Sequence, residues 1–283
     1  TVPGTVGVLG GGRMGAGIAH AFLLAGARVR LVERDDESAD AARERVLASI
    51  ATSVKRGELP DATAVTASLT VGTDIAVFAG ASLVIEAVPE DRDLKIGALT
   101  RIEAALPSDA VLATNTSSIS IDDLAASLIW PERFLGLHFF NPVPASKLVE
   151  LVAGTRTDAG VVADGRGWVE ALGKTPVVVR DSPGFASSRL GVMLGLEAIR
   201  MLEEGVADAA DIDAAMELGY RHPMGPLRTT DVVGLDVRLG IAEELARELG
   251  PRFEPPAILR RLVAQGKLGR KSGEGFYVWN EER

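Results

Sequence analysis

The chain carries two hydrophobic periodicities, and they divide it in two. Up to about residue 180, short apolar runs alternate with longer stretches of helical spacing: "TVGVLG", "ARVRLVE", "SLVIEAV", "AVLATNT", "FLGLHFF", "VELVAG" and "TPVVVR". Strands that alternate with helices in this way predict βαβ units and a largely parallel, two-sided sheet. After "DSPGF" the strand pattern stops. From Ser187 onward only helical periodicity remains, in "SSRLGVMLGLEAIRMLEEG", "DAADIDAAMELG", "DVRLGIAEELARELG" and "PPAILRRLVAQG", each closed by a glycine suited to a helix C-cap. Pro183 and Gly184 mark the joint, since proline lacks a backbone donor and glycine tolerates sharp bends. The expectation is an α/β domain over residues 1–182 and a smaller all-helical domain over residues 183–283.

Composition narrows the possible partners. With 283 residues, 47% of them hydrophobic, the chain has ample material for its cores. The net charge of −9 and a pI near 5.0 argue against binding nucleic acid or an anionic membrane, because phosphate groups need a basic face. An anionic ligand therefore requires a local basic cluster. There is no cysteine, hence no disulfide, no thiolate nucleophile and no cysteine-held metal. The chain enters a strand almost at once, and no apolar run reaches the roughly 18 residues that span a bilayer. A soluble, cytoplasmic protein without a retained targeting segment is expected.

The first strand opens onto chemistry. "VGVLGGGRMGAGIAHAFLLAGARVRLVE" sets Gly10, Gly12 and Gly15 in G-x-G-x-x-G spacing between an apolar strand and a helix. In that context Gly10 permits the tight turn, Gly12 lets a pyrophosphate approach the backbone, and Gly15 allows the helix to pack against the strand. The fold expected is a Rossmann-type dinucleotide-binding domain. Glu33 ends the second strand 18 residues beyond Gly15. A carboxylate there accepts hydrogen bonds from the adenosine ribose and repels a 2′-phosphate, which favours NAD over NADP. Arg34 is open to two readings, as a cation for that phosphate or as a side chain lying over the adenine.

A second stretch, "FLGLHFFNPVPASKLVELV" from Phe134 to Val152, places His138 and Glu150 inside two apolar runs. A buried ionisable group without a partner is costly. Hydrophobic spacing alone leaves two answers open: each residue is a core oddity satisfied by backbone, or the two face each other.

With these residues included, the chain resembles the L-3-hydroxyacyl-CoA dehydrogenase family, among them the short bacterial 3-hydroxybutyryl-CoA and 3-hydroxyadipyl-CoA dehydrogenases. The likeness covers nearly the whole chain. It rests on "GGGRMGAGIA", "VIEAVPED", "NTSSISI", "GLHFFNPVP", "KLVELV", "DSPGF", "HPMGP" and "GRKSGEGFY", in the family's order and with closely matching spacing. It implies a dinucleotide-binding domain followed by a helical domain that also forms a dimer interface, and reversible NAD-linked oxidation of an (S)-3-hydroxyacyl-CoA to the 3-ketoacyl-CoA. It further implies His138 as general acid/base and Glu150 as its partner, with Ser117 and Asn141 at the junction of nicotinamide and substrate. Glu90 and Lys95 match positions near the cofactor, and Lys271 matches a lysine that reaches it from the C-terminal tail. One position departs. Where the family commonly has asparagine in a "PGF-x-x-N-R" pattern, this chain reads "PGFASSR" and offers Ser188, whose hydroxyl can donate a hydrogen bond but is shorter than an amide. Its contact with the substrate's oxygen or with Ser117 is what the departure leaves open.

Hydride transfer explains the residue types. Removing hydride from C3 leaves the hydroxyl proton strongly acidic, so a base must take it, and a histidine of unperturbed pKa about 6.5 serves both directions. Glu150 accepting from the distal ring nitrogen would fix the tautomer and stabilise imidazolium, with "NPVPAS" holding the register. His20 on the first helix reads as a core or edge histidine, and His222 before Pro223 as loop structure. Three histidines so placed give no metal-ligand spacing. Ser117 and Ser118 lack a G-x-S-x-G elbow, and N-T-S-S after a strand reads as a turn or helix cap.

The helix after Glu33 sets Val46, Ile50 and Val54 on one stripe and Arg45, Ser49 and Arg56 on another. The resemblance implies that Ser49 and Arg56 contact the CoA part of an acyl-CoA substrate, with Lys55 adding positive charge; a solvated amphipathic face is the other reading. Competing functions are a dehydrogenase of a free 3-hydroxy acid or a sugar acid of the L-gulonate type, and a non-catalytic NAD-binding protein. Retention of both His138 and Glu150 weighs against the last.

Overall fold

Residues 1–279 are described by a computed structural model of the protein. In the first unit, Thr1–Ser182, the apolar runs form one sheet with helices between them. In chain order the elements are β1 (Thr5–Leu9), α1 (Arg13–Leu24), β2 (Arg28–Val32), α2 (Asp36–Lys55), α3 (Thr63–Ala67), β3 (Leu69–Gly72), β4 (Leu83–Glu86), α4 (Arg92–Ala105), β5 (Val111–Thr114), α5 (Ile121–Ala125), β6 (Phe134–Phe139), β7 (Leu148–Ala153), α6 (Ala159–Ala171) and β8 (Thr175–Arg180). The strand order is β3-β2-β1-β4-β5-β6-β7-β8. Seven of these strands were foreshadowed by the hydrophobic runs. β3 was not, because it is a four-residue edge strand that buries only Leu69 and Val71.

Every neighbouring pair is parallel except β6 and β7. The segment between those two is too short for the crossover a parallel pair needs, so the chain doubles back. The β1–β4 neighbourhood is where the order reverses: the chain leaves β1 for β2 and β3 on one side, then returns to β4 on the other. Ligands of open parallel sheets bind outside the strands' carboxyl ends at such a point. The central strands are buried on both faces, and Val6, Val8, Phe22, Leu31, Ile85 and Leu137 belong to the core that fixes them.

The second unit, Pro183–Arg283, contains α7 (Ser187–Glu203), α8 (Ala209–Tyr220), α9 (Pro226–Val233), α10 (Leu235–Leu249) and α11 (Ala257–Ala264). Its core gathers Val192, Leu196, Ile199, Leu227, Leu235 and Leu245. Three details add to the helical expectation. α9 is an extra helix, too short to show a period, with Pro226 at its start. α8 runs through Gly219 and ends instead on Arg221, a non-glycine residue in the left-handed region at φ 61°. The tail leaves α-helix, placing a 3-10 turn (Arg270–Ser272) within antiparallel bridges Gly269 to Glu274 and Glu274 to Val278.

Candidate active site

The glycine loop leaves β1 at the carboxyl end of the sheet. Gly10 has φ +95°, and a side chain there would stand 2.8 Å from the Ala87 carbonyl oxygen. A methyl on Gly15 would meet the Gly10 carbonyl oxygen at 1.8 Å, so α1 sits as close to the loop as its backbone allows. Above Gly12 the space is open: a methyl there finds nothing within 4 Å. Gly12 caps α1 without a side-chain hydrogen bond, and the first turn holds no acidic residue. The helix therefore presents unengaged N–H groups and the positive end of its dipole to open space, which fits a pyrophosphate. Glu33 is fixed against the same loop, its Oε1 accepting the Gly11 N–H at 2.6 Å and its Oε2 the Arg34 N–H at 3.2 Å. The Arg34 guanidinium is turned to Asp35 at 2.9 Å.

The ends of β4 and β5 carry a chain of charges. Lys95 on α4 is 1% exposed and donates to Glu86 at 2.8 and 3.1 Å and to the Val88 carbonyl at 3.2 Å; its ammonium lies 3.3 Å from Glu90. Burial pushes the Glu86 carboxyl up, against the pull of Lys95 and of the Thr114 hydroxyl 2.6 Å away. Burial also opposes ionisation of Glu90, but there Lys95, the Thr116 hydroxyl and the Ser117 N–H together hold the carboxyl below its usual range. Glu90 Oε1 accepts from Thr116, Ser117 and Ser118, the Ser117 N–H at 2.8 Å. The N-T-S-S turn is thus wrapped around one carboxylate. Lys95 acts from beneath it, through Glu86 and Glu90.

β6 carries the histidine to this same end of the sheet. Because β7 runs antiparallel, its early residue Glu150 comes to lie opposite the late β6 residue His138 in register. The His138 Nδ1 and the Glu150 Oε2 are 2.9 Å apart, and the residues are 6% and 1% exposed. The Phe140 ring lies 4.4 Å from the imidazole, tilted by 44°. Asn115, at the head of the N-T-S-S turn, accepts the Phe139 N–H at 2.9 Å and so ties the turn to the histidine's strand. The connecting loop is pinned by Lys174, whose ammonium donates to the carbonyls of Val143 at 2.6 Å and Ser146 at 2.5 Å. Asn141 is exposed in this loop.

The structure thus brings Gly10, Gly12, Gly15, Glu33, Glu90, Ser117, His138 and Glu150 to one end of the sheet, the carboxyl end of its parallel strands β1 to β6. Ser49 lies on α2 with its hydroxyl returned to the Arg45 carbonyl at 3.0 Å, and Arg56 is the exposed C-cap of that helix. Arg45 reaches the Gly11 carbonyl at 3.2 Å, so it braces the glycine loop. Ser188 stands in the first turn of α7, and Lys271 pairs with Asp236 at 2.7 Å, both in the helical unit. Glu86, Asn115 and Lys174 were missed as contributors. Glu86 had a signal, an acid inside the apolar run "SLVIEAV".

The model of the 3-hydroxyacyl-CoA dehydrogenase NAD binding domain matches residues 5–182, and that of the 3-hydroxyacyl-CoA dehydrogenase C-terminal domain matches residues 184–279. A 3-hydroxybutyryl-CoA dehydrogenase of Mycobacterium tuberculosis is 42% identical over 279 residues, covering 97% of this chain and 98% of that one. The mitochondrial hydroxyacyl-coenzyme A dehydrogenase of Rattus norvegicus is 39% identical over 283 residues, covering 96% of this chain and 90% of its own length. The crystal structure of (S)-3-hydroxybutyryl-CoA dehydrogenase from Ralstonia eutropha superposes with a TM-score of 0.94 at 38% identity, over 99% of this chain and 100% of that one.

Proposed function

This chain belongs to the 3-hydroxyacyl-CoA dehydrogenase family, and we propose that His138 and Glu150 form the acid/base centre of the NAD-dependent oxidation of 3-hydroxyacyl-CoA that it performs. One observation carries the reading: a buried His138–Glu150 pair at 2.9 Å, at the sheet end where the glycine loop opens. NAD is the cofactor. The loop shaped by Gly10 and Gly15 receives its pyrophosphate at Gly12, Glu33 its adenosine ribose, and Glu90, Ser117 and Asn141 its nicotinamide end. Bound there, it supplies the acceptor for the C3 hydride.

The chain's own part is the proton. Glu150 accepts from Nδ1, so proton exchange with the C3 hydroxyl falls to Nε2. As hydride leaves C3, Nε2 takes the hydroxyl proton and the carboxylate stabilises the imidazolium; in the reverse direction the imidazolium returns it to the carbonyl oxygen. Ser117 and Ser188 donate hydrogen bonds to the substrate oxygen, Ser49 and Arg56 hold the CoA moiety, and Lys271 serves the cofactor from the tail. We place the enzyme in the cytoplasm as a homodimer, in fatty-acid β-oxidation.

His138→Gln is expected to fold and bind NADH yet lose about 10²- to 10⁴-fold in turnover of acetoacetyl-CoA. Glu150→Gln should lower kcat and alter its pH profile without changing NADH affinity, and the double variant should be no slower than His138→Gln, since Glu150 acts through the histidine. Near-normal turnover by folded His138→Gln would sink the assignment. Faster reduction of free acetoacetate than of acetoacetyl-CoA would move the substrate class to free acids.

A further inference from the structure

The helical unit holds a buried cation with no counter-charge among the described residues. Arg238, in the first turn of α10, is 6% exposed, and its Nε has no hydrogen-bond partner among the described residues. Burial pulls its pKa down to about 10, with no carboxylate acting to raise it. The two acids nearest in sequence are engaged elsewhere, Asp231 by three N–H donors of the tail and Asp236 by Lys271. A guanidinium left in this state is strongly destabilising, so its retention asks for an anion.

The surroundings show where that anion would stand. A methyl built on Gly195 of α7 would lie 3.7 Å from the Arg238 Nε and 3.9 Å from its Cδ, and one on Gly191 would lie 3.4 Å from Nη1. The side chain therefore runs along two glycines, with its head toward the N-terminal end of α7. Ser188 precedes Gly191 by three residues and Gly195 by seven, so all three share one helix face. Ser188 and Gly191 are separated by about 4.5 Å of helix rise.

Resting on the reading of Ser188 as a contact of the substrate's oxygen, we propose that Arg238 is a specificity residue that binds a terminal carboxylate of the acyl chain, making CoA thioesters of 3-hydroxy dicarboxylic acids the preferred substrates. The planar fork of guanidinium donors matches a carboxylate bidentately. With C3 beside Ser188, a carboxylate at C6 stands three C–C bonds away, about 4 Å, close to the rise of about 4.5 Å from Ser188 to Gly191. The missing side chain at Gly191 leaves room for it. A neutral tail in that place would leave the guanidinium buried and unpaired, so the same residue that favours the diacid disfavours the simple acid.

The test compares kcat/KM for reduction of 3-oxoadipyl-CoA and 3-oxohexanoyl-CoA, which share a carbon number and differ in the terminal carboxylate. The wild-type ratio is expected to favour the diacid by at least about tenfold. Arg238→Met should invert it, and should melt no lower than wild type because it removes an unpaired buried charge. Gly191→Val, which keeps the charge and fills the space, should also erase the preference. A wild-type ratio at or below one, or a ratio that neither variant moves, overturns the proposal. So does conversion of a dimer to a monomer by Arg238→Met with the ratio intact, since the counter-ion would then come from a second copy. Failure of the wild type on acetoacetyl-CoA as well as both test thioesters would reject the dehydrogenase reading itself, and this proposal with it.

Discussion

At the scale of single residues, the histidines separate by what surrounds them. His20 is buried between α1 and α2, with its Nε2 3.0 Å from the Ser53 hydroxyl. Burial holds its pKa below 6.5, Lys174 acts in the same direction, and Glu58 opposes both. As pH falls below 6.5 the unfolded chain takes up this proton before the folded chain does, so stability should decline across that window and level off below the depressed pKa. His20→Gln, which keeps a group able to bond Ser53, should flatten this decline; urea midpoints measured across the window give the slope, and an unaltered slope would acquit His20. His138 and Glu150 were legible in the sequence because ionisable groups interrupt strongly apolar runs; that they face each other followed from the family resemblance and not from the spacing, and the pair at 2.9 Å bears it out. The Glu86–Lys95 pair was harder to see. A lysine on an amphipathic helix normally reads as solvated, and only the fold shows this one beneath Glu90.

At the scale of elements, the hydrophobic runs marked all the central strands because burial on both faces writes a continuous signal. β3 and α9 escaped for the opposite reason, being short and held by their neighbours. The β6–β7 reversal also lay outside periodicity, yet it is what sets Glu150 opposite His138. The bridges of the tail also lay outside periodicity, because its order comes from one buried side chain. Asp231 on α9 accepts from the Phe276 and Tyr277 N–H groups, each at 2.9 Å, and from the Trp279 indole at 2.8 Å. Asp213 on α8 likewise caps α9 through the N–H groups of Leu227 and Arg228 and receives the Tyr277 hydroxyl at 2.7 Å. Asp231→Ala would strip the partner from three donors and should destabilise the protein by about 3 kcal/mol or more. Denaturant unfolding followed by Trp279 fluorescence measures this, and a loss below about 1 kcal/mol would show that the tail is anchored by other contacts.

At the scale of the whole molecule, the acidic balance hides a local feature that composition could not reveal. The helical unit leaves Leu190 65% exposed, with Leu194, Val232, Val233 and Val237 each more than two-fifths exposed. They lie on α7, α9 and α10, which pack on one another, and Leu190 and Leu194 stand on one face of α7. Scattered exposed apolar residues need no explanation, but several of them on three adjoining helices are the kind of surface that a second subunit covers. A net charge of −9 opposes self-association at long range, so the contact must draw on apolar burial, and raising the salt concentration should strengthen it. The expected species at micromolar concentration is therefore a dimer of the 29.7 kDa chain. Leu190→Glu with Val233→Glu should convert it to monomer by placing desolvated, unpaired charges in the interface, without unfolding the unit, since neither side chain belongs to its buried core. Sedimentation velocity on wild type and double variant decides the matter. A wild-type monomer, or a dimer indifferent to both charges, would leave this surface without a role in assembly.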